Sequence, residues 1–230
     1  MPLKLSIIIP TYNEEAVIGE LVGYLRSHTS AVTEVIVADG GSTDITQRIA
    51  TAAGARVLGC ERKGRATQMN AGARIAAGDI LYFLHADTFP PPDFEEQLTR
   101  AVMQGYGSGC YRLKFDFQHW FLRLNAWFTR FDVDAVRFGD QSLFVRRDVF
   151  EKAGGFNEQL LLLEDQEIVE RVRRCAPFVV LPAKVITSAR KYRQLGVYRL
   201  QCSYFLIYTL YRLGLSQERL VKVCKRLLRL

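Results

Sequence analysis

The sequence predicts an α/β fold: a mostly parallel central sheet with helices on both faces, followed by C-terminal helices. Three observations carry this. Short apolar runs alternate with segments of helical spacing through the first half of the chain. Those runs are continuously apolar, as strands buried on both faces require. From about Gln194 onward only helical spacing is left.

Each element can be justified in order. Leu3–Ile9 (LKLSIII) is the first strand. Asn13–Ser27 places Val17, Ile18, Leu21, Val22 and Leu25 on one helical face. Glu34–Ala38 (EVIVA) is the second strand, and Thr43–Ala53 a helix with Ser42 as its N-cap. Ala55–Leu58, the helix Ala66–Ala77 and the strand Asp79–Leu84 complete the alternating half. After Pro90–Pro92, Asp93–Gln104 reads as a helix opened by an acid. Gly109–Phe117 and Gln141–Arg146 read as strands. Between them, His119–Phe131 sets Trp120, Leu124, Trp127, Phe128 and Phe131 on one helical face. Glu164–Arg174 is a helix and Phe178–Leu181 a short strand. Two helices broken near Gly214 close the chain.

The 230 residues suffice for one large core. With 49% hydrophobic and 24% charged residues, disorder is excluded. No repeat or linker appears, so residues 1–190 form one domain and 191–230 its basic helical extension. Of the net +7, residues 190–230 hold ten Lys or Arg against Glu218 alone, which leaves the first 189 residues at −2. Such a tail suits an acidic partner: an anionic membrane surface or a phosphorylated substrate. Without a recognition motif, a nucleic-acid partner is not expected. The five cysteines are far apart and form no CxxC pair, which fits reduced thiols in a cytoplasmic protein. No signal-peptide pattern opens the chain. The longest apolar run, Cys202–Leu215, is too short to span a bilayer and contains Arg212, so it could lie on an inner membrane face but not cross it.

In an open α/β sheet, ligands bind beyond the carboxyl ends of the strands. There the sequence places PTYNEE (Pro10 to Glu15), DGGSTD (Asp39 to Asp44) and HADT (His85 to Thr88). Neither GxGxxG nor GxxxxGK[ST] occurs, which excludes the usual dinucleotide and phosphate loops. Asp39 at a strand end can accept hydrogen bonds from a base or sugar. Asp87 is the metal candidate, since hard cations take oxygen ligands. His85, two residues earlier, can ligate Mn²⁺ or hydrogen-bond a phosphate. Glu164 and Asp165 open a helix, where the dipole favours acids, and also suit a general base.

The ordered motifs PTYNEE, ADGGSTD, GRATQMNAGARIAAGD, FLHADT, GGFNE and LLEDQE resemble the family 2 glycosyltransferases of GT-A fold. HADT and GDQSLFVRRDVF resemble a smaller bacterial subgroup, the selenodomain-associated transferase 2 proteins. The likeness covers roughly residues 3–190 and implies a Rossmann-like sheet. It implies that Pro10, Thr11, Tyr12 and Glu14 contact the nucleotide. Asp39 binds the base from the turn that includes Gly41, and Gly40 stands where many members carry a second acid. Arg65 and Asn70 line the nucleotide-sugar site. His85, Ala86 and Asp87 occupy the DxD position, with Asp87 and His85 toward a Mn²⁺ or Mg²⁺ ion. Asp165, with Glu164 beside it, is the catalytic base. The processive QxxRW signature is absent, which implies a single transfer. The implied reaction is inverting: a sugar passes from a UDP-sugar, before a GDP-sugar, to a hydroxyl acceptor, lipid-linked or apolar. Two alternatives are a nucleotidyltransferase and a degenerate transferase that only binds nucleotide-sugars.

Overall fold

A computed structural model of the chain describes residues 3–133, 136–137 and 139–228. Arg229 of the basic tail lies outside them. Eight strands form one sheet in the order β3-β2-β1-β4-β7-β6-β8-β5. Strands β1 (Leu5–Thr11), β2 (Glu34–Asp39), β3 (Arg56–Gly59) and β4 (Ile80–Phe83) are mutually parallel. Every residue of β1 and β4 is buried, because helices cover both faces. Side chains alternate between two cores, as the pleat dictates. Ile7, Ile9, Val35, Val37 and Tyr82 pack with helices α1 (Ile18–Ser27) and α4 (Phe94–Met103). Ile8, Ile36, Leu81 and Phe83 pack with α3 (Arg65–Ile75) and α7 (Glu164–Cys175). The short helix α2 (Thr46–Ala52) lies beside α1 on the first face.

Beyond β4 the sheet is mixed. β7 (Leu143–Arg146) runs antiparallel to both β4 and β6 (Ser108–Phe115). β8 (Phe178–Thr187) is parallel to β6, and the short β5 (Thr88–Phe89) is antiparallel to β8. The sequence reading ends β8 at Leu181, one residue before Pro182. In the structure, β8 continues through a register shift opposite Tyr111 and Arg112. Proline lacks a ladder donor, so it is accommodated at such an irregularity.

Two helices start later than their spacing suggests. Asn13 has φ 54°, which the α-helix excludes, and α1 begins only at Ile18. Ser42 does not cap α2, which starts at Thr46 without a side-chain cap. Its hydroxyl donates instead to Asp39 (2.5 Å) and accepts the Asn13 N–H (2.8 Å). A short helix α6 (Arg147–Lys152), unforeseen in the sequence, follows β7.

Helix α5 (Trp120–Phe128) buries Leu122 but leaves its aromatic face outward. Trp120 is 63% exposed, and Leu124, Trp127, Phe128 and Phe131 are all above 40%. The C-terminal region holds three helices where the sequence suggests two: α8 (Arg190–Leu195), α9 (Val197–Arg212) and α10 (Gln217–Leu228). The break near Gly214 falls where expected, and the one at Gly196, which ends α8, is additional. The three helices form a third apolar cluster with Leu122, Ala189, Tyr192, Leu200 and Leu228. Gln217 Oε1 accepts the Leu161 and Leu162 N–H groups (3.1 Å each), and Arg212 pairs with Glu170 at 2.8 Å. These contacts tie the extension to α7 and to the loop that precedes it. No helix among the described residues is long and apolar enough to cross a membrane.

Candidate active site

The loops after β1 and β2 are joined backbone to side chain. The N–H of Asn13 donates to Ser42, that of Glu14 to Thr46, and that of Thr43 to Asn13 Oδ1, each at 2.8 Å. At their centre, Asp39 is fully buried. Its Oδ1 accepts the N–H groups of Gly41 (3.1 Å) and Ser42 (2.8 Å) and Gln47 Nε2 (2.8 Å). Its Oδ2 accepts the hydroxyls of Thr11 (3.0 Å) and Ser42 (2.5 Å). Burial pushes the Asp39 carboxyl up, but the donors from Ser42, Gln47 and Thr11 outweigh it and hold it below the usual carboxylate range. Asp39 therefore organises both loops as a charged acceptor.

Gln68, which the sequence reading passes over, works beside it. Its buried amide donates to the carbonyls of Thr11 and Ala38, both at 2.7 Å. A Cβ at Gly40 would meet that amide at 2.9 Å. The glycine in place of a second acid is thus matched by a glutamine that fills the space.

Pro10 lies buried in β1, and Tyr12 is 40% exposed with Lys63 Nζ 3.2 Å above its ring. Glu14 pairs with Arg190 at 3.1 Å, which brings α8 to the end of β1. Asn70 faces another way. Its Nδ2 donates to Phe156 O (2.8 Å) and Glu158 (3.0 Å), and its Oδ1 accepts the Phe156 N–H (2.8 Å). It braces the Gly154–Gly155 turn.

After β4, Ala86 is buried and points away from solvent, while His85 and Asp87 are half-buried. The Asp87 carbonyl accepts the Ser188 N–H (3.1 Å), but its carboxylate has no hydrogen-bond donor among the described residues. His85 Nδ1 lies 3.0 Å from Asp140 Oδ1. Burial raises the Asp140 carboxyl, and the His85 hydrogen bond and nearby positive charges of Arg65 and Lys191 lower it further than burial lifts it. Against a charged carboxylate, which only accepts, this contact is the one made with the ring proton on Nδ1.

Across the mouth stands Asp165, on the first turn of α7. It accepts the Gln166 N–H at Oδ1 (3.0 Å) and a short hydrogen bond from the Gly139 N–H at Oδ2. A Cβ on Gly139 would sit 2.7 Å from Asp165 Oδ2 and 2.9 Å from His85 Nε2, so only glycine fits between these two groups. The neighbouring Glu164 is buried, with Arg65 at 3.8 Å. Burial, and then the charge of Asp165, hold the Glu164 carboxyl above its ordinary value. A cavity of about 30 Å³, the size of one water, lies behind His85, Gly139 and Asp165.

No group of three or more His, Cys, Asp or Glu among the described residues could hold a metal unaided. The donors do fit a hard cation that takes most of its oxygens from a phosphate-bearing substrate. Asp87 offers a carboxylate without a protein donor, and His85, two residues earlier in the chain and half-buried like it, an imidazole.

The profile described as Glycosyl transferase family 2 matches residues 6–161, two thirds of the chain. The chain belongs to this glycosyltransferase family. Undecaprenyl-phosphate 4-deoxy-4-formamido-L-arabinose transferase of Aeromonas hydrophila is 31% identical over 111 residues, covering 44% of this family 2 chain and 34% of that protein. Glucosyl-3-phosphoglycerate synthase of Mycobacterium tuberculosis is 33% identical over 113 residues, covering 45% and 35%. The matched segment thus spans about a third of each curated relative's length. Among solved structures, a mannosyltransferase of Pyrobaculum calidifontis in complex with GDP-Man and Mn²⁺ has a TM-score of 0.73 at 18% identity. That alignment covers 100% of this chain and 69% of the other. The Mycobacterium tuberculosis synthase, in complex with Mn²⁺, UDP and glucosyl-3-phosphoglycerate, scores 0.63 at 20% identity, covering 93% and 81%. These likenesses establish the GT-A fold of this family 2 member.

Proposed function

We propose that this protein transfers a sugar, with inversion, from a nucleoside-diphosphate sugar to a hydroxyl acceptor, and that Asp165 is the base. One observation carries the reading: Asp165 is oriented by two backbone N–H groups beside the loop of His85 and Asp87, at the carboxyl edge of the parallel strands. A base must be fixed within reach of the proton it takes. Asp165 accepts the acceptor's hydroxyl proton as that oxygen attacks the anomeric carbon on the face opposite the diphosphate. Thr11, Tyr12 and the turn built on Asp39 receive the nucleoside, and Arg65 the diphosphate side. A divalent cation, Mn²⁺ or Mg²⁺, held by Asp87 and His85 would serve as a Lewis acid for the leaving diphosphate. The Mn²⁺ in two solved relatives supports this role. UDP in one and GDP-Man in the other support a uridine or guanosine donor, uridine first.

For the acceptor we favour a lipid-linked or apolar hydroxyl compound, met at the cytoplasmic membrane face. The outward aromatic face of α5 supports it, as does the exposed Tyr198 and Phe205 line on α9. Tyr198 touches Trp120 and Phe121, so the two surfaces are continuous. Exposed Arg219, Lys222, Lys225 and Arg226 on α10 suit anionic headgroups. The undecaprenyl-phosphate transferase among the relatives points the same way. Sedimentation with phosphatidylglycerol vesicles should show salt-sensitive binding that Trp120→Asp weakens; no sedimentation at low salt contradicts this.

Asp165→Asn tests the chemistry. It should lower transfer of a radiolabelled sugar by at least about 10²-fold while calorimetry shows donor binding retained. Donor affinity that collapses in parallel would mean Asp165 is a binding residue. No donor binding by the native chain, across UDP- and GDP-sugars, would overturn the reading as a whole.

A further inference from the structure

The DxD position of this chain has a histidine where an acid is expected, and a neutral imidazole lacks that acid's charge. The structure shows where a second carboxylate comes from. Asp140, on the 3₁₀ turn Gly139–Gln141 just before β7, lies 3.0 Å from His85 Nδ1 although 55 residues separate them in sequence. The turn that delivers it is held in three ways. The Gly139 N–H bonds Asp165, the Arg137 carbonyl accepts Gln166 Nε2 (2.8 Å), and the Ser142 N–H bonds Gly139 O (2.9 Å). The first two join the Asp140 turn to the base-bearing helix α7 and the third closes the turn itself, so Asp140 meets His85 at a fixed place. Its side chain remains 43% exposed, which leaves the pair facing the site mouth and not sealed in the core.

We propose that Asp140 is a positioning residue that replaces the missing acid: it fixes the His85 ring with the proton on Nδ1, so that the Nε2 lone pair joins Asp87 as the protein's share of a divalent-cation site completed by a nucleoside diphosphate. The inference rests on the metal role given to Asp87 and His85 above. Carboxylate–histidine pairs of this kind fix the tautomer and raise the basicity of a ligating imidazole, and their loss weakens metal affinity by about 10–100-fold. The charge that an ordinary DxD pair holds in one loop is here divided between two loops. Gly139, with no room for a Cβ, lets the ring and Asp165 share the same wall.

The test titrates Mn²⁺ into the full chain with saturating UDP, and separately GDP, and reads free Mn²⁺ by electron paramagnetic resonance. Asp140→Asn keeps an acceptor for Nδ1 but removes the charge, and Asp140→Ala removes both. Both should weaken Mn²⁺ binding by about 10–100-fold, with the alanine variant the weaker. Adding His85→Asp to Asp140→Asn returns an acid to the first position and should restore most of the affinity. Mn²⁺ affinity unchanged in both single variants overturns the proposal. So does a loss that His85→Asp fails to rescue, since Asp140 would then be only a clasp for its turn. A native chain that binds no Mn²⁺ with either nucleotide defeats the metal role itself, and this inference with it.

Discussion

Asp39 ends β2 and Asp87 lies four residues past β4, the two strands that flank β1, yet their surroundings are opposite. Asp39 is fully buried and accepts five hydrogen bonds from Thr11, Gly41, Ser42 and Gln47. Asp87 is half-buried, and its carboxylate has no hydrogen-bond donor among the described residues. One charge organises its own loops, and the other is left for the ligand role proposed above. The difference shows why a list of acidic strand ends cannot by itself assign roles. Two aspartates in similar sequence settings differ by the donors folded against them: Gly41, Ser42 and Gln47 from the turn and helix that follow Asp39, with Thr11 from β1, and none on the Asp87 carboxylate among the described residues.

The largest test of this contrast is Asp39→Ala. It leaves a set of buried donors without their charged acceptor and removes the Thr11–Asp39 link, while the Asn13–Ser42, Glu14–Thr46 and Thr43–Asn13 bonds between the two loops remain. Urea denaturation should show a loss of about 3–4 kcal/mol, with donor binding lost as well. A stability near that of the native chain would mean that the five bonds contribute little. Because hydrogen bonds hold the Asp39 carboxyl below its ordinary range, its contribution is present above the unfolded-state pKa. It is lost as pH falls through the lower folded value.

A smaller effect, of opposite sign, belongs to Glu164. Burial raises its carboxyl, so its contribution is complete below the unfolded-state pKa and is lost as pH rises through the folded one. Glu164→Gln should therefore raise the denaturation midpoint at neutral pH, and the gain should shrink as pH falls toward 4.5, the ordinary value for this side chain. A midpoint lowered at neutral pH would show that the Arg65 contact outweighs burial.

Much of this was legible in the sequence. Continuous apolar runs such as LSIIIPT and ILYF marked buried parallel strands, and their ends marked the edge where polar residues gather. Asp165 and His85 were singled out, and the structure brings them to either side of Gly139. What escaped was non-local. Gln68 reads as an ordinary polar residue on a helix until Thr11 O and Ala38 O are found against it. Asp140 lies in a short segment without periodicity, and its meaning comes from a histidine 55 residues away. Asn70 lay in a segment expected to line the donor site, but its amide braces the turn before α7. Ser42 looked like a helix cap because the residue type is right, yet Asp39 and Asn13 claim its hydroxyl.

The most direct test is the thermal shift of Asp87→Asn beside the native chain, each with UDP and GDP, with Mn²⁺ or EDTA. A ligand at about 100 times its Kd stabilises the folded state by roughly 2.7 kcal/mol. Without ligand, Asp87→Asn should melt where the native chain melts, since no donor loses an acceptor. With nucleotide, the native chain should gain a Mn²⁺-dependent shift that Asp87→Asn lacks. An equal Mn²⁺-dependent shift in both, or a marked loss of unliganded stability in the variant, would contradict the claim that Asp87 is held in reserve for the substrate's metal.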